Sequence, residues 1–205
     1  MIKTIVFDFG DVFINLDKAA TVKEINRYFG SFTIDYQLVE INNAYETGNV
    51  TSEDFIKFYS DYFKTDNSQV LIEAWNAIIL DFPEYRLKFI EALSKSKNYK
   101  LILLSNTNAL HIERVIKNME PARYTRFKNC FDAFYLSHEI HLRKPNNNVY
   151  EFVLNENKLI ANETLFIDDT IENTKAASQL EIYTWTLHPD TDDIINLFTA
   201  KAELF

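Results

Sequence analysis

Five short apolar runs recur along the chain, and four of them stop abruptly on polar residues. Thr4-Ile5-Val6-Phe7 ends on Asp8, and Leu101–Leu104 ends on Ser105-Asn106-Thr107. Ala133–Leu136 ends on Ser137-His138, and Leu165-Phe166-Ile167 ends on Asp168-Asp169-Thr170. Glu181–Trp185 is the fifth run. Runs this short, rich in β-branched and aromatic residues, predict buried strands. Between them the apolar period lengthens to that of a helix. Leu87, Ile90 and Leu93 form one stripe, and Ile112, Val115, Ile116 and Met119 another. Val149, Phe152 and Val153 form a third, and Ile171, Thr174, Ala177 and Leu180 a fourth. Strands alternating with helices predict an α/β fold around a doubly wound, mainly parallel, Rossmann-like sheet.

Residues 16–83 interrupt this alternation with helical periodicity and no strand pattern. Thr51-Ser52-Glu53-Asp54 has the capping hydroxyls and early acids of a helix start. Phe55, Phe58, Tyr59, Tyr62 and Phe63 then form an aromatic stripe of the kind that faces a core. The expected organisation is a core of residues 1–15 and 84–205 with a helical cap over 16–83. Asp81-Phe82-Pro83 is the expected way out of that insert.

Composition narrows the functional classes. At 205 residues, with 47% hydrophobic and 15% aromatic content, the chain can bury a substantial core. A formal charge of -9 counts against nucleic-acid and anionic-membrane partners, which need a basic face. No apolar run approaches the ~20 residues of a membrane span. Ile2-Lys3-Thr4 leads directly into the first strand without a signal-like apolar region, so the expected location is cytoplasmic. Cys130 is the only cysteine, which excludes a disulfide framework and suggests a small core residue. Gly10, Gly30 and Gly48 are the only glycines, too few and too scattered for a glycine-rich phosphate loop.

Phosphate chemistry is still available at the strand tips, where open α/β sheets bind ligands. Asp8, Ser105, Asn106, Asp168 and Asp169 gather there, and Lys144 joins from the loop Leu142–Pro145. Singly, Asp8 could close a turn, Ser105, Thr107 or Asn108 could cap a helix, and Lys144 could be solvated. Together they suit Mg2+, a hard cation that takes oxygen ligands. The expected ligands are Asp8, the Gly10 carbonyl and Asp169, with Asp168 close by. Asp8 would attack phosphorus to form an aspartyl-phosphate. The Ser105 hydroxyl, the Asn106 side chain and nearby N–H groups would hold phosphate oxygens at a helix start. Lys144 would offset the gathered negative charge and hold Asp8 or the phosphate.

These segments resemble the haloacid dehalogenase (HAD) superfamily of phosphohydrolases. The four motifs are matched, in order, by Phe7–Val12, Leu104–Thr107, Lys144-Pro145, and Phe166–Asp169 with Asn173 following. The insert resembles the helical type-1 cap of subfamily I. Leu104–Asn108 with His111, Tyr135–His138, and Arg143-Lys144-Pro145 are similar to bacterial α-glucose-1-phosphate phosphatases. The resemblance implies Mg2+-dependent hydrolysis of a small-molecule phosphate ester, with glucose 1-phosphate the leading candidate.

One position departs from the pattern. Most HAD phosphatases carry a second Asp two residues after the nucleophile, as general acid and base; here that residue is Gly10. Asp11, a metal-polarised water or a cap residue could take over. His111 reads either as a substrate contact or as a packing histidine. His138 and His141 show no metal-ligand spacing. Two other functions fit the motifs less closely: a non-catalytic phosphate-binding or regulatory protein, and a metal-independent 2-haloacid dehalogenase. Asp168-Asp169 with Lys144 favours phosphate over the latter. The oligomeric state is left open.

Overall fold

The five apolar runs pair into one parallel sheet in a computed structural model that describes residues 1–205. The strands are β1 (Thr4–Phe7), β2 (Lys100–Ser105), β3 (Ala133–Leu136), β4 (Thr164–Asp168) and β5 (Tyr183–Thr186), in the spatial order β3-β2-β1-β4-β5. β1 is central, with Phe7 opposite Leu103 on one side and Ile167 on the other. The chain builds outward from β1 through β2 to β3, then crosses back to lay β4 on the other side. The order therefore reverses between β1 and β4, where open α/β sheets place their ligands. The fifth strand starts at Tyr183, two residues later than the sequence pattern suggests, because Glu181 takes a left-handed turn with φ 63°.

Between β1 and residue 83 the chain forms four helices: α1 (Ala20–Phe29), α2 (Tyr36–Glu46), α3 (Ser52–Phe63) and α4 (Ser68–Asn76). Thr51 caps α3 by accepting from the Asp54 N–H at 3.1 Å. The aromatic stripe of α3 turns inward: Phe55 and Tyr59 are buried with Ile25, Leu38, Tyr45 and Leu71 in a separate apolar cluster. Phe55 stacks on Tyr45 with ring centroids 4.1 Å apart. The two chain crossings into and out of this insertion run side by side. Asn15 and Asp17 donate backbone N–H groups to Asp81 and Ile78 at 2.9 Å each, and Leu80 donates back to Asn15. Leu16 and Ile79 form an antiparallel bridge there.

The remaining helices cover both faces of the sheet. They are α5 (Glu84–Ser96), α6 (Ala109–Met119), α7 (Pro121–Lys128), α8 (Ser137–Ile140), α9 (Asn147–Asn157), α10 (Ile171–Ser178) and α11 (Leu197–Ala200). Strand residues alternate between the faces, as a period of two requires. Ile5, Phe7, Leu101, Leu103, Leu165 and Ile167 pack with α5, α6 and α7; Val6, Ile102, Leu104 and Phe166 pack with α9 and α10. Cys130 is buried in the first of these cores, and burial pushes its thiol up to about 11. No helix is long and apolar enough to cross a membrane.

Candidate active site

β1 extends its ladder one residue beyond Phe7: the Asp8 N–H donates to the Ile167 carbonyl at 2.8 Å. That bond fixes Asp8 beside the end of β4, where Asp168 is the last strand residue. Oxygens of Asp8, Asp168 and Asp169 consequently lie within 4.8 Å of one another. Lys144 enters this group from the loop after α8. Its ammonium donates to Asp8 Oδ1 at 2.6 Å, to Asp168 Oδ2 at 2.6 Å and to the Leu104 carbonyl at 2.9 Å. All three of its protons are engaged, and the side chain is only 1% exposed.

Asn106 holds the lysine in place. Its Nδ2 donates to the Lys144 carbonyl and its Oδ1 accepts the Lys144 N–H, both at 2.9 Å. Both ends of the amide thus serve the lysine loop, and Nδ2 keeps a second proton for the expected contact with phosphate. Asp168 is equally occupied. It accepts from the Thr170 N–H at 2.8 Å and from Asn173 Nδ2 at 3.0 and 3.1 Å, besides Lys144. Asp8 Oδ2, by contrast, has no protein donor, and Ser105 Oγ has only a 3.5 Å contact with the Asn106 carbonyl.

Asp169 pairs with Lys18, which also reaches Asp11 Oδ2 at 2.9 Å. Asp11 has φ 54°, and its Oδ1 accepts the Leu16 N–H at 3.0 Å. Both of its oxygens thus tie down the turn that leads into the insertion. Gly10 sits between. A Cβ there would lie 3.7 Å from Asp8 Oδ2 but only 2.7 Å from Leu16 Cδ1. Leu16 therefore fills the space a side chain at position 10 would use. The Gly10 carbonyl accepts the Val12 N–H at 2.6 Å.

The charge balance is negative. Burial pushes the Asp8 carboxyl up to about 7; Lys144 opposes that rise, and Asp168 and Asp169 reinforce it. Burial also raises Asp169, against Lys18. Burial works against the charge on Lys144, but Asp168 and Asp8 outweigh it and hold the ammonium firmly protonated. Two ammonium groups, Lys144 and Lys18, do not neutralise the four carboxylates of Asp8, Asp11, Asp168 and Asp169. An all-oxygen donor set with excess negative charge fits a hard divalent cation such as Mg2+.

The histidines lie outside this cluster. His111 Nε2 donates to the Trp75 carbonyl at 3.2 Å, and Asn108 Nδ2 donates to His111 Nδ1 at 3.1 Å. The ring stacks on Trp75 with centroids 5.2 Å apart, and burial pushes its pKa down to about 4. The neutral ring joins the insertion to α6 and also lines a cavity between insertion and core. His141 donates to the Thr47 carbonyl at 2.8 Å, and neither it nor His138 bonds to the carboxylates.

Two cavities meet above Asp8. One of about 410 Å3 contains Asp8, Lys18, Lys144 and Asp169. The other, about 310 Å3, lies between insertion and core and is walled by Asn42, Asn43, Trp75, Ser105 and Asn108. Gly10, Glu46, Asn106 and Arg143 line both. Arg143 ties the layers together: Nη2 pairs with Glu46 Oε2 at 2.7 Å and Nη1 donates to Asn43 Oδ1 at 2.6 Å. Sequence reasoning passed over Lys18, Asn42, Asn43, Glu46 and Arg143 as site residues. Only Arg143, adjacent to Lys144, carried any local signal. A larger cavity of about 790 Å3 runs along α3 and α4 and contains none of the strand-tip carboxylates.

Several known proteins are similar to this chain in sequence and fold. The family described as haloacid dehalogenase-like hydrolase matches residues 5–186. A D-ribitol-5-phosphate phosphatase of Bacteroides thetaiotaomicron is 27% identical over 191 residues, 90% of this chain and 91% of that protein. A HAD family enzyme of the same organism, solved as an aspartate-to-alanine variant with magnesium and inorganic phosphate, superposes with a TM-score of 0.85. It is 30% identical, over 97% of this chain and 99% of that one. A HAD-like family hydrolase from Porphyromonas gingivalis shares the fold, with a TM-score of 0.83 at 24% identity over 98% and 97% of the chains.

Proposed function

The chain belongs to the haloacid dehalogenase-like hydrolases, and from that premise we propose that it hydrolyses phosphorylated sugars or polyols through Asp8. The enzyme is a phosphomonoester hydrolase with Mg2+ as cofactor. The observation that carries the reading is the clamp on Asp8: Lys144 holds Oδ1 at 2.6 Å and leaves Oδ2 free. The nucleophilic oxygen is thereby aimed without being neutralised.

Asp8, Asp169 and the Gly10 carbonyl would hold the metal, and Asp168 would hold Lys144 and the β4 turn. When bound, magnesium offsets phosphate charge so that a carboxylate can approach the dianion. Asp8 Oδ2 attacks phosphorus, and the Ser105 hydroxyl beside the start of α6 donates to a phosphate oxygen. The buried Lys144 charge stabilises the negative charge gathered in the transition state. Water then hydrolyses the aspartyl-phosphate and frees Asp8.

The cavity walls support a hydroxyl-bearing substrate. Asn42 and Asn43 have oxygens held by Tyr59 and Arg143 and keep their Nδ2 groups for substrate hydroxyls, and about 310 Å3 suits a small molecule. The enzyme similar to this chain that acts on D-ribitol 5-phosphate supports a polyol or sugar phosphate. Glucose 1-phosphate, implied by the motif resemblance, belongs to the same chemical class. The helical insertion acts as the cap that encloses the substrate.

The test is phosphate release from glucose 1-phosphate, ribitol 5-phosphate and p-nitrophenyl phosphate, with and without Mg2+. Asp8→Asn is expected to lose at least about a thousandfold in turnover, as removal of a nucleophile does. Unchanged turnover in that variant would overturn the assignment of Asp8.

A further inference from the structure

The reaction at Asp8 moves a proton twice, once to the leaving group and once from water, and Gly10 cannot carry it. An alkoxide leaving group must be protonated, and the water that frees Asp8 must lose a proton. Leu16 fills the room a side chain at position 10 would take. We propose that Glu46, carried by α2 of the insertion, is the general acid and base of this enzyme. The inference rests on the phosphatase reading above and assigns that chemistry to a residue outside the four motifs.

Placement is the first argument. Glu46 lines the cavity that contains Asp8 and also the adjoining cavity assigned to the substrate's organic part. It therefore borders the junction where the ester oxygen must lie. Arg143 holds only Oε2, at 2.7 Å, and Oε1 has no protein partner. The backbone behind it is fixed by Ser137 Oγ, which donates to the Glu46 carbonyl at 2.6 Å. A carboxyl with one oxygen anchored and the other open to the cavity is oriented for proton transfer.

Elimination is the second argument. Every Lys144 proton is engaged, and Arg143 does not deprotonate in proteins. His111 has a partner on each ring nitrogen. Asp11 has a donor on each oxygen. Glu172 is exposed at the start of α10 and borders only the Asp8 cavity. Burial raises the pKa of the Glu46 carboxyl, against the opposing charges of Arg143 and Lys144.

The step balances. Asp8 Oδ2 bonds to phosphorus as the P–O ester bond breaks, and its electron pair stays on the leaving oxygen. That oxygen takes the proton from the Glu46 carboxyl and departs as an alcohol. The Glu46 carboxylate then takes a proton from water as the water oxygen attacks phosphorus. The bond to Asp8 breaks, leaving hydrogen phosphate, a free Asp8 carboxylate and a reprotonated Glu46.

Leaving-group chemistry separates this role from a structural one. p-Nitrophenol departs as the anion and needs no acid, whereas a sugar or polyol alkoxide does. Glu46→Gln is expected to lower kcat on the best alkyl phosphate by about a hundredfold or more. On p-nitrophenyl phosphate it should release a burst of nitrophenolate equal to the enzyme, followed by slow dephosphorylation. Glu46→Asp should restore part of the alkyl rate. Asn43→Ala breaks a contact between insertion and core while keeping both Glu46 and its Arg143 anchor, so it should raise KM without the leaving-group bias. Equal losses on both substrates without a burst, an effect on KM alone, or unchanged rates would overturn the role of Glu46. Wild-type protein that releases no phosphate with Mg2+ would instead overturn the phosphatase reading and this inference with it.

Discussion

Gly48 of the insertion and His138 of the core meet so closely that a Cβ on Gly48 would lie 2.1 Å from the His138 carbonyl oxygen. This contact seats the α2–α3 turn on α8, two residues from Glu46 and next to Thr47, which accepts from His141. Gly48 also has φ 69°, a left-handed conformation that disfavours any other residue. The glycine is therefore required both by backbone conformation and by the fit of the insertion to the core.

Gly48→Ala is expected to destabilise the fold by at least about 1 kcal/mol from the backbone alone. The clash with a backbone oxygen must also lift the turn, so KM should rise severalfold. Gly30 provides the control. It too has a positive φ, 78°, but nothing lies within 4 Å of its Cβ position. Gly30→Ala should lower the melting temperature and leave turnover unchanged. Thermal melts and steady-state kinetics on both variants decide the matter, and an unaltered KM in Gly48→Ala would refute the docking role.

Lys144→Met should be among the most damaging substitutions in the core. It leaves Asp8 and Asp168 facing each other without the ammonium now 2.6 Å from each. Breaking a buried ion pair from one side costs about 3–5 kcal/mol. Urea unfolding should show that loss, with Mg2+ restoring part of it through the same carboxylates. Hydrolysis should fall below detection even where the variant is folded. A fully active Lys144→Met would contradict the clamp.

His111 predicts an acid limit to stability. Its folded-state pKa is pushed down from 6.5 to about 4 by burial. The unfolded chain therefore takes up a proton at a pH where the folded chain does not. The stabilisation is complete above pH 6.5 and is lost as pH falls toward 4, amounting to about 3 kcal/mol across that window. His111→Phe retains a ring against Trp75 and should flatten the profile by that amount. Denaturant midpoints measured from pH 7 to pH 4 test it, and parallel profiles for the two proteins would count against a half-buried neutral histidine.

The parts of the site that can be read along the chain are those tied to strand ends. A parallel strand that is apolar on both faces places its next residue at the carboxyl edge. Asp8, Ser105 and Asp168-Asp169 were therefore identifiable from where the apolar runs stop. The helices α7 and α8 were not: each is short, and α7 follows α6 after a single positive-φ residue, Glu120. Local periodicity cannot separate two helices joined so tightly.

Residue order alone dictated the alternation of strands and helices, the oxygen-rich strand tips and the absence of an acid at position 10. These depend on hydrophobic period and on residue type, which are local. Tertiary structure decided how the polar groups are used. Asn106 serves Lys144 because two loops meet edge to edge. Asp11 faces Leu16 and Lys18 because the chain turns there with φ 54°. Glu46 borders the Asp8 cavity only because residues 15–17 and 78–81 run side by side and return the insertion to the core. Such placements depend on contacts between residues distant in sequence, and no local pattern records them.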